Sequence, residues 1–204
     1  ADLRATSLLL GSVHGRRPLN RRLDRPRLLA LRVFGVLAIT ILGATGAMAG
    51  AEAWWVTATF EPREAAIEGI SVRNLDGGWL RASVLRTADL PRTASDPGES
   101  VEDHGFQLAL HADLDGDGQP EKVVVGVFQT RSGERGRFLL ILGKSEKAGT
   151  WTKRALFAEP GTPGFSAVRL EDGRLVWVTC FECDSACEVR YRSGRFRLRC
   201  GSCC

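Results

Sequence analysis

Apolar and polar residues alternate in short segments along most of this chain, and turn residues separate the segments. From Trp54 to the end of the chain, no window shows a sustained helical period, so the pattern there predicts strands rather than helices. The predicted strands cover residues 53–60, 78–86, 105–111, 121–130, 136–143, 150–157, 164–170, 174–182, 186–192 and 195–200. The pattern therefore predicts an all-β fold of antiparallel sheets joined by hairpins, with a mobile loop over residues 90–102.

The first quarter of the chain differs from the rest. Eight arginines and only two acidic residues precede an apolar run from Val33 to Ala49, which ends in Ala47-Met48-Ala49. This order of basic segment, apolar segment and A-x-A site is typical of an export signal. The run is 17 residues long and contains three glycines, which favours a cleaved signal over the alternative of a membrane anchor. We expect residues 1–49 to be a leader that contains a signal or anchor helix, and residues 50–204 to form a single β-rich domain.

The net charge of the chain depends on this leader. The whole sequence carries 28 basic and 24 acidic residues, a net charge of +4. Residues 1–49 hold eight of the basic and two of the acidic residues, so 20 and 22 remain in the rest. The basic excess therefore belongs to the leader, and we expect no nucleic-acid partner and no membrane contact except through an uncleaved leader.

One loop has a spacing that predicts a specific chemistry. Carboxylates occupy positions 1, 3, 5 and 9 of the segment DLDGDGQPE, Gly118 at position 6 permits a sharp turn, and position 7 offers a backbone carbonyl. The predicted ligands are Asp113, Asp115, Asp117, the backbone oxygen of Gln119, and Glu121. An oxygen-only set suits Ca²⁺. The alternative is a Gly-rich turn that the aspartates only shape, but such closely spaced carboxylates repel one another without a cation.

The residues after this loop distinguish it from an EF-hand. Position 12 is Val124 instead of a bidentate glutamate, and a Val-rich strand follows where an EF-hand has a helix. A DxDxDG loop that runs directly into such a strand resembles the FG-GAP and VCBS repeats of extracellular β-propellers and adhesion proteins, over residues 110–130. The resemblance implies a calcium-stabilised turn at the edge of a blade, with the three aspartates and Glu121 as side-chain ligands.

Related segments recur only weakly. Residues 74–78 and 171–173 echo the loop without its three carboxylates. A closed propeller has at least four blades of about 40 to 50 residues, and residues 50–204 have room for about three. We therefore expect propeller-blade-like hairpins without a closed propeller.

All six cysteines lie near the C-terminus: Cys180, Cys183, Cys187, Cys200, Cys203 and Cys204. If Ser193-Gly194 forms a two-residue turn, Cys187 faces Cys200 in a non-hydrogen-bonded pair, where side chains approach most closely. This register predicts a Cys187–Cys200 disulfide, although a bulge at Gly194 would shift it. We expect the other four cysteines to make two bridges that link the 180–183 turn to the C-terminus, in a pairing that the sequence leaves open.

The same cysteines admit a zinc site. Two C-x2-C pairs, at 180–183 and 200–203, have the spacing of a zinc ribbon with a hairpin between them. Disulfides are favoured because exported proteins meet oxidants, the count is even, and Cys187 and Cys204 would be left over. A zinc-ribbon protein that holds Zn²⁺ stays an alternative.

The hairpin register also places arginines together. Cys187, Val189, Tyr191, Phe196 and Leu198 share one face with Cys200, and the other face carries Glu188 and five arginines. These are Arg190, Arg192, Arg195, Arg197 and Arg199. Such a face can bind an anionic glycan, a phosphate or an acidic partner, and a merely solvated face is the alternative.

The sequence shows no catalytic motif of the serine-hydrolase, P-loop or haem type. His14 lies in the leader, and His104 and His111 lie near acidic residues without a third nitrogen or thiolate ligand. We therefore expect no catalytic residues. The sequence favours an exported, periplasmic or extracellular, calcium-binding β domain that binds a protein or glycan, or has a structural role, at the cell envelope. An envelope hydrolase that uses His104 or His111 beside the acidic loop is the alternative.

Overall fold

The computed structural model describes residues 52–145, 149–183 and 186–201, which all lie in the unit Met48–Cys204. The predicted leader, Cys203 and Cys204 lie outside these residues. The described chain is mostly β, with antiparallel sheets, none of which is closed. No helix in it has the length and apolar character that crossing a membrane requires.

Strands make up most of the elements. They are β1 (Ala66–Ile67), β2 (Ile70–Ser71), β3 (Trp79–Val84), β4 (Ala109–Ala112), β5 (Glu121–Thr130), β6 (Arg135–Lys144), β7 (Trp151–Pro160), β8 (Ala167–Glu171), β9 (Arg174–Val178), β10 (Cys187–Arg192) and β11 (Arg195–Cys200). The helices are α1 (Trp54–Thr57) and α2 (Val72–Leu75), and two 3-10 turns cover Thr87–Asp89 and Arg92–Ser95.

The larger sheet is organised around β5. Its strand order is β3-β5-β6-β7, and β4 pairs with β5 as well. β3 and β4 share one edge of β5, since Val84 lies opposite Gly126 and Ala109 lies opposite Val124. The acidic loop therefore connects β4 to the strand with which it pairs.

The uninterrupted apolar sequence of β5 reflects burial on both faces of the larger sheet. Val125 and Val127 pack in one core cluster with residues of a second, four-stranded sheet formed by β8–β11. Val124 and Phe128 belong to a second cluster with the β1–β2 hairpin and α2. The ring of Trp79 stacks on Phe128 with a centroid distance of 4.6 Å. Because both faces are covered, the alternation of apolar and polar residues disappears in this strand.

The four-stranded sheet, called the smaller sheet below, is a meander in the order β11-β10-β9-β8. Ser193 and Gly194 have positive φ angles of 51° and 77°, as a two-residue type I′ turn requires. Cys187 pairs with Cys200, which confirms the predicted register and excludes a shift at Gly194. These two cysteines form a disulfide with a Cα–Cα distance of 3.9 Å.

The local structure differs from the sequence pattern in two segments. Residues 53–60 contain the helical turn α1 instead of a strand, and both Trp54 and Trp55 are buried. A strand would place these neighbours on opposite faces, whereas the helical turn lets both face the core. The segment 90–102, which was predicted as a loop, includes a 3-10 turn and buries Ala94 and Val101.

Candidate metal centre

The acidic loop between β4 and β5 brings three carboxylates together. Asp113, Asp115 and Asp117 each offer an oxygen, and these atoms lie within 4.8 Å of one another. Both oxygens of Asp113 accept backbone hydrogen bonds, from Gly116 at 2.8 Å and from Gly118 at 2.9 Å. These glycines have φ angles of 81° and 85°, in the left-handed region that other residues rarely adopt. The loop is thus wound tightly around the carboxylate at its first position.

The other two aspartates close short turns of their own. The amide of Asp117 donates to Asp115 Oδ1 at 3.1 Å, and the amide of Gln119 donates to Asp117 Oδ1 at 2.7 Å. Each carboxylate oxygen has two lone pairs, so these bonds leave acceptor capacity for a cation. The side chain of Asp115 is only 4% exposed, whereas Asp113 and Asp117 are exposed. The cluster is therefore open to solvent on the side of its first and fifth positions.

Glu121, the first residue of β5, is buried next to the acidic loop. It is 1% exposed, and its Oε2 accepts a hydrogen bond from the amide of Leu114 at 2.9 Å. Burial raises the pKa of Glu121 above its ordinary value, and the charge of Asp115 adds to this increase. Glu121 is not one of the three carboxylates that converge within 4.8 Å. Its role as a ligand, like that of the Gln119 carbonyl, stays a prediction.

A cation from β7 reaches the loop. Nη2 of Arg154 contacts Oδ2 of Asp115 directly, and its Nη1 lies 3.9 Å from Oε1 of Glu121. The aliphatic part of Arg154 packs over Gly143, where a Cβ would lie 3.0 Å from Arg154 Cγ. The absence of a side chain at position 143 thus leaves space for the arginine.

A β-bulge directs Arg154 toward the loop. Ile141 of β6 pairs with Ala155 of β7, and the next residue, Leu142, pairs with Lys153, so Arg154 is the extra residue. Bulges of this kind re-aim side chains at the edges of sheets. The sequence prediction missed Arg154. This residue is 39 positions from Asp115 in the sequence, and strand pairing brings the two together. No local signal in the sequence identifies it.

Arg154 offsets only part of the negative charge in the loop. The neighbouring lysines are engaged elsewhere: Lys122 forms an ion pair with Glu68 at 2.7 Å, and Lys153 donates to the carbonyl of Leu75 at 2.6 Å. Across residues 52–145, 149–183 and 186–201, Arg154 is the cationic group that pairs with the loop carboxylates. One guanidinium therefore pairs with two of the four carboxylates, those of Asp115 and Glu121.

Comparison with known proteins finds no family model, no curated protein and no solved structure that matches this chain.

The structure places His104 and His111 against aromatic rings. The ring of His104 stacks on Phe181 with a centroid distance of 4.1 Å and lies 5.0 Å from Trp55. His111 is exposed on β4, with its ring 6.1 Å from Trp151. The acidic group that could hold a metal contains neither histidine. The hydrolase alternative stays a prediction.

The cysteine pairing differs from the expectation. Cys180 and Cys183 are bonded to each other, with a Cα–Cα distance of 5.5 Å, instead of to the C-terminus. This distance lies in the normal range for a disulfide, so the turn itself brings the two sulfurs within reach. The zinc-ribbon alternative needs free thiolates at positions 180, 183 and 200, and all three are engaged in disulfides.

The two faces of the β10–β11 hairpin follow the predicted alternation. The rings of Tyr191 and Phe196 lie 4.9 Å apart, and Val189 is buried in the core. On the other face, Glu188 contacts Arg190 and lies 3.3 Å from Arg174. The predicted set Arg190, Arg192, Arg195, Arg197 and Arg199 shares this second face.

Proposed function

We propose that the protein is an exported, non-enzymatic β domain that binds Ca²⁺ at residues 113–121 and serves as a binding or structural module at the cell envelope. The convergence of three aspartate oxygens within 4.8 Å is the observation that carries this proposal. The backbone hydrogen bonds within the loop support it, because they hold the carboxylates together before any ion arrives.

The charge balance of the loop favours a divalent cation. Ionised carboxylates at this spacing repel one another, and the single positive charge of Arg154 offsets only part of this repulsion. Oxygen donors without nitrogen or sulfur suit a hard cation such as Ca²⁺. The carbonyl of Gln119, the carboxylate of Glu121 and water would complete the ligand set of such an ion.

A bound ion would act on the stability of the domain. The loop ends at Glu121, where the doubly covered strand β5 begins. A ligand that binds the folded state and not the unfolded state stabilises the fold by mass action. The meanders β5–β7 and β8–β11 are consistent with blade-like hairpins, which remain part of the proposal.

The proposed location is periplasmic or extracellular. The two disulfides support an oxidising compartment, and residues 1–49 would provide the export signal, or a membrane anchor if they are not cleaved. A protein or a glycan of the envelope would be the partner. The domain itself would comprise residues 50–204.

Calcium-dependent thermal stability tests this proposal. The melting temperature of the purified protein should rise by several degrees when EDTA is replaced by millimolar Ca²⁺. Asp117→Asn keeps a hydrogen-bond acceptor for the Gln119 amide but removes a charge, and should abolish most of the rise.

Asp76→Asn is the matched control. Asp76 Oδ1 accepts from the amide of Gly78 at 2.8 Å, the same kind of short turn outside the acidic cluster. This variant should keep the full calcium response. A wild-type protein that shows neither a thermal shift nor calorimetric binding with Ca²⁺ would contradict the proposal.

A further inference from the structure

One face of the smaller sheet carries arginines on all four strands. Arg169 lies opposite Val176, Val176 lies opposite Glu188, and Glu188 lies opposite Arg199. Because side chains alternate, residues two positions from these along each strand share the same face. We call this set the arginine face; it comprises Arg169, Arg174, Arg190, Arg192, Arg195, Arg197 and Arg199, with Glu171 and Glu188.

The two glutamates neutralise only one part of this face. Arg169 lies 3.3 Å from Glu171, and Glu188 is engaged with Arg190 and Arg174. The remaining arginines lie at the β10–β11 end, are exposed, and form no ion pair with any residue that the structure describes. These are Arg192, Arg195, Arg197 and Arg199. A strong positive charge is therefore concentrated on the edge hairpin.

Contacts on its opposite face hold the hairpin that bears these arginines in place. Val189 is buried, the rings of Tyr191 and Phe196 pack together, and the Cys187–Cys200 disulfide closes the far end. A backbone held in this way loses little freedom when a ligand binds to its outer face. The face thus acts as a rigid support for flexible guanidinium groups.

The strand geometry orders the arginines in two columns. Arg190 lies opposite Arg197, and Arg192 lies opposite Arg195, about 5 Å apart across the strands. Successive arginines on one strand are about 7 Å apart, so that a column of three spans about 14 Å. Each planar guanidinium can form two parallel hydrogen bonds to a carboxylate or a sulfate. This arrangement suits a linear chain with repeated anionic groups.

We propose that the arginine face binds an acidic polysaccharide with repeated carboxylate or sulfate groups. Single-stranded nucleic acid fits less well because it needs aromatic rings for base stacking, and Tyr191 and Phe196 lie on the opposite face of the hairpin. A lipid surface fits less well because membrane binding generally adds apolar insertion, and Val176 on this face is only 7% exposed. The inference does not depend on calcium binding by the acidic loop.

The test uses heparin as a sulfated probe and polygalacturonate as a carboxylate probe, titrated in EDTA at low and moderate salt. One variant carries glutamine at the four unpaired positions: Arg192→Gln, Arg195→Gln, Arg197→Gln and Arg199→Gln. The matched control removes the same charge from exposed arginines elsewhere: Arg63→Gln, Arg73→Gln, Arg92→Gln and Arg131→Gln. Circular dichroism checks that both variants are folded.

The wild-type protein should bind at least one of the two polysaccharides saturably, and the affinity should fall with salt. The variant of the face should bind at least about tenfold more weakly, while the control should stay within about threefold of the wild type. If the fourfold variant does not fold, Arg197→Gln alone should reduce affinity by about two- to fivefold.

Three results would overturn the proposal. The first is the absence of saturable binding to both polysaccharides, and the second is an equal loss of affinity in the two fourfold variants. The third is tighter binding to single-stranded DNA, or to vesicles of anionic phospholipid, than to either polysaccharide at the same salt concentration.

Discussion

Arg154 contacts the carboxylate of Asp115 from the extra position of a β-bulge in β7. In the ion-free protein this contact reduces the repulsion among the loop carboxylates. A calcium ion at the proposed site would need the same carboxylate. The guanidinium would therefore compete with this ion for Asp115, and its charge should set the calcium affinity of the loop.

Replacement of Arg154 by glutamine should increase calcium affinity. Removal of one positive charge from contact with Asp115 should tighten binding by roughly tenfold. The same change should lower the melting temperature in EDTA, because the loop loses its counter-ion. Isothermal titration calorimetry measures the affinity. Arg131→Gln is the control, since Arg131 is exposed and follows the end of β5 that is remote from the loop. Unchanged or weaker calcium binding in Arg154→Gln would show that the two cations do not compete.

Replacement of Glu121 by glutamine should have opposite effects on the stability of the ion-free protein and on its response to calcium. Burial raises the pKa of Glu121, which means that its ionised form is disfavoured in the ion-free protein. Glu121→Gln keeps an acceptor for the Leu114 amide and should therefore raise the melting temperature in EDTA. It should also reduce the further rise on adding Ca²⁺, if Glu121 is a ligand.

The control for this experiment is Glu134→Gln in the exposed turn between β5 and β6. It should leave both melting temperatures close to those of the wild type. A lower melting temperature of Glu121→Gln in EDTA, with an intact calcium response, would assign Glu121 a purely structural role.

Replacement of Glu188 by glutamine should strengthen polysaccharide binding. Glu188 is the acidic residue at the centre of the arginine face, in contact with Arg190 and Arg174. Its removal frees these guanidinium groups, so that heparin affinity should rise several-fold at neutral pH. Glu159→Gln, which removes an equal charge from the larger sheet, should have little effect. A loss of heparin affinity in Glu188→Gln would mean that Glu188 mainly orders the arginines.

The pH dependence of this effect follows from the pKa of Glu188. A hydrogen bond from Arg190, together with the charges of Arg190, Arg174 and Arg199, lowers this pKa in the folded protein. The stabilisation from these contacts is present above the unfolded pKa of about 4.3, and it is lost as the pH falls through the lower folded value. Glu188 thus stays ionised from pH 5 to 8. The ratio of heparin affinities between Glu188→Gln and wild type should be constant over this range and decrease only below about pH 4.

The two disulfides should contribute unequally to stability. Cys187 and Cys200 are separated by 13 positions and Cys180 and Cys183 by three. On the chain-entropy model, loss of the Cys187–Cys200 bond lowers the free energy of unfolding by about 3 kcal/mol, and loss of the Cys180–Cys183 bond lowers it by about 2 kcal/mol. Guanidinium unfolding of the two double Cys→Ser variants measures both values. The reverse order would show that native-state packing around Phe181 outweighs loop closure.

Local signals predicted a large part of this structure. The bounds of β5 and β11 and the register of the last hairpin follow from turn residues and alternation within a few positions. The convergence of Asp113, Asp115 and Asp117 is also local, because the six residues 113–118, which include two left-handed glycines, determine it. Features of this kind are encoded in short segments and can be inferred from one sequence.

The missed features depend on contacts between distant segments. Arg154 reaches the loop only because a bulge forms between β6 and β7. Trp54 and Trp55 prefer a helical turn because both rings pack against Phe181. The cysteine spacing permitted several pairings, and the observed Cys180–Cys183 bond depends on the backbone path of its turn. Strand pairing and core packing determine these positions, and the spacing of residues within a short segment predicts neither.

β3 and β4 share one edge of β5 and hold the two ends of the segment 85–108 close together. Val84 and Ala109 pair with Gly126 and Val124, so the chain leaves β5 and returns to it two residues away along the same strand. Proteolytic cleavage of the exposed Pro97–Gly98 bond would therefore cut the chain without separating its halves. The two fragments would remain joined by the strand pairs of β5, and the domain has the connectivity of a split protein that can reassemble from two pieces.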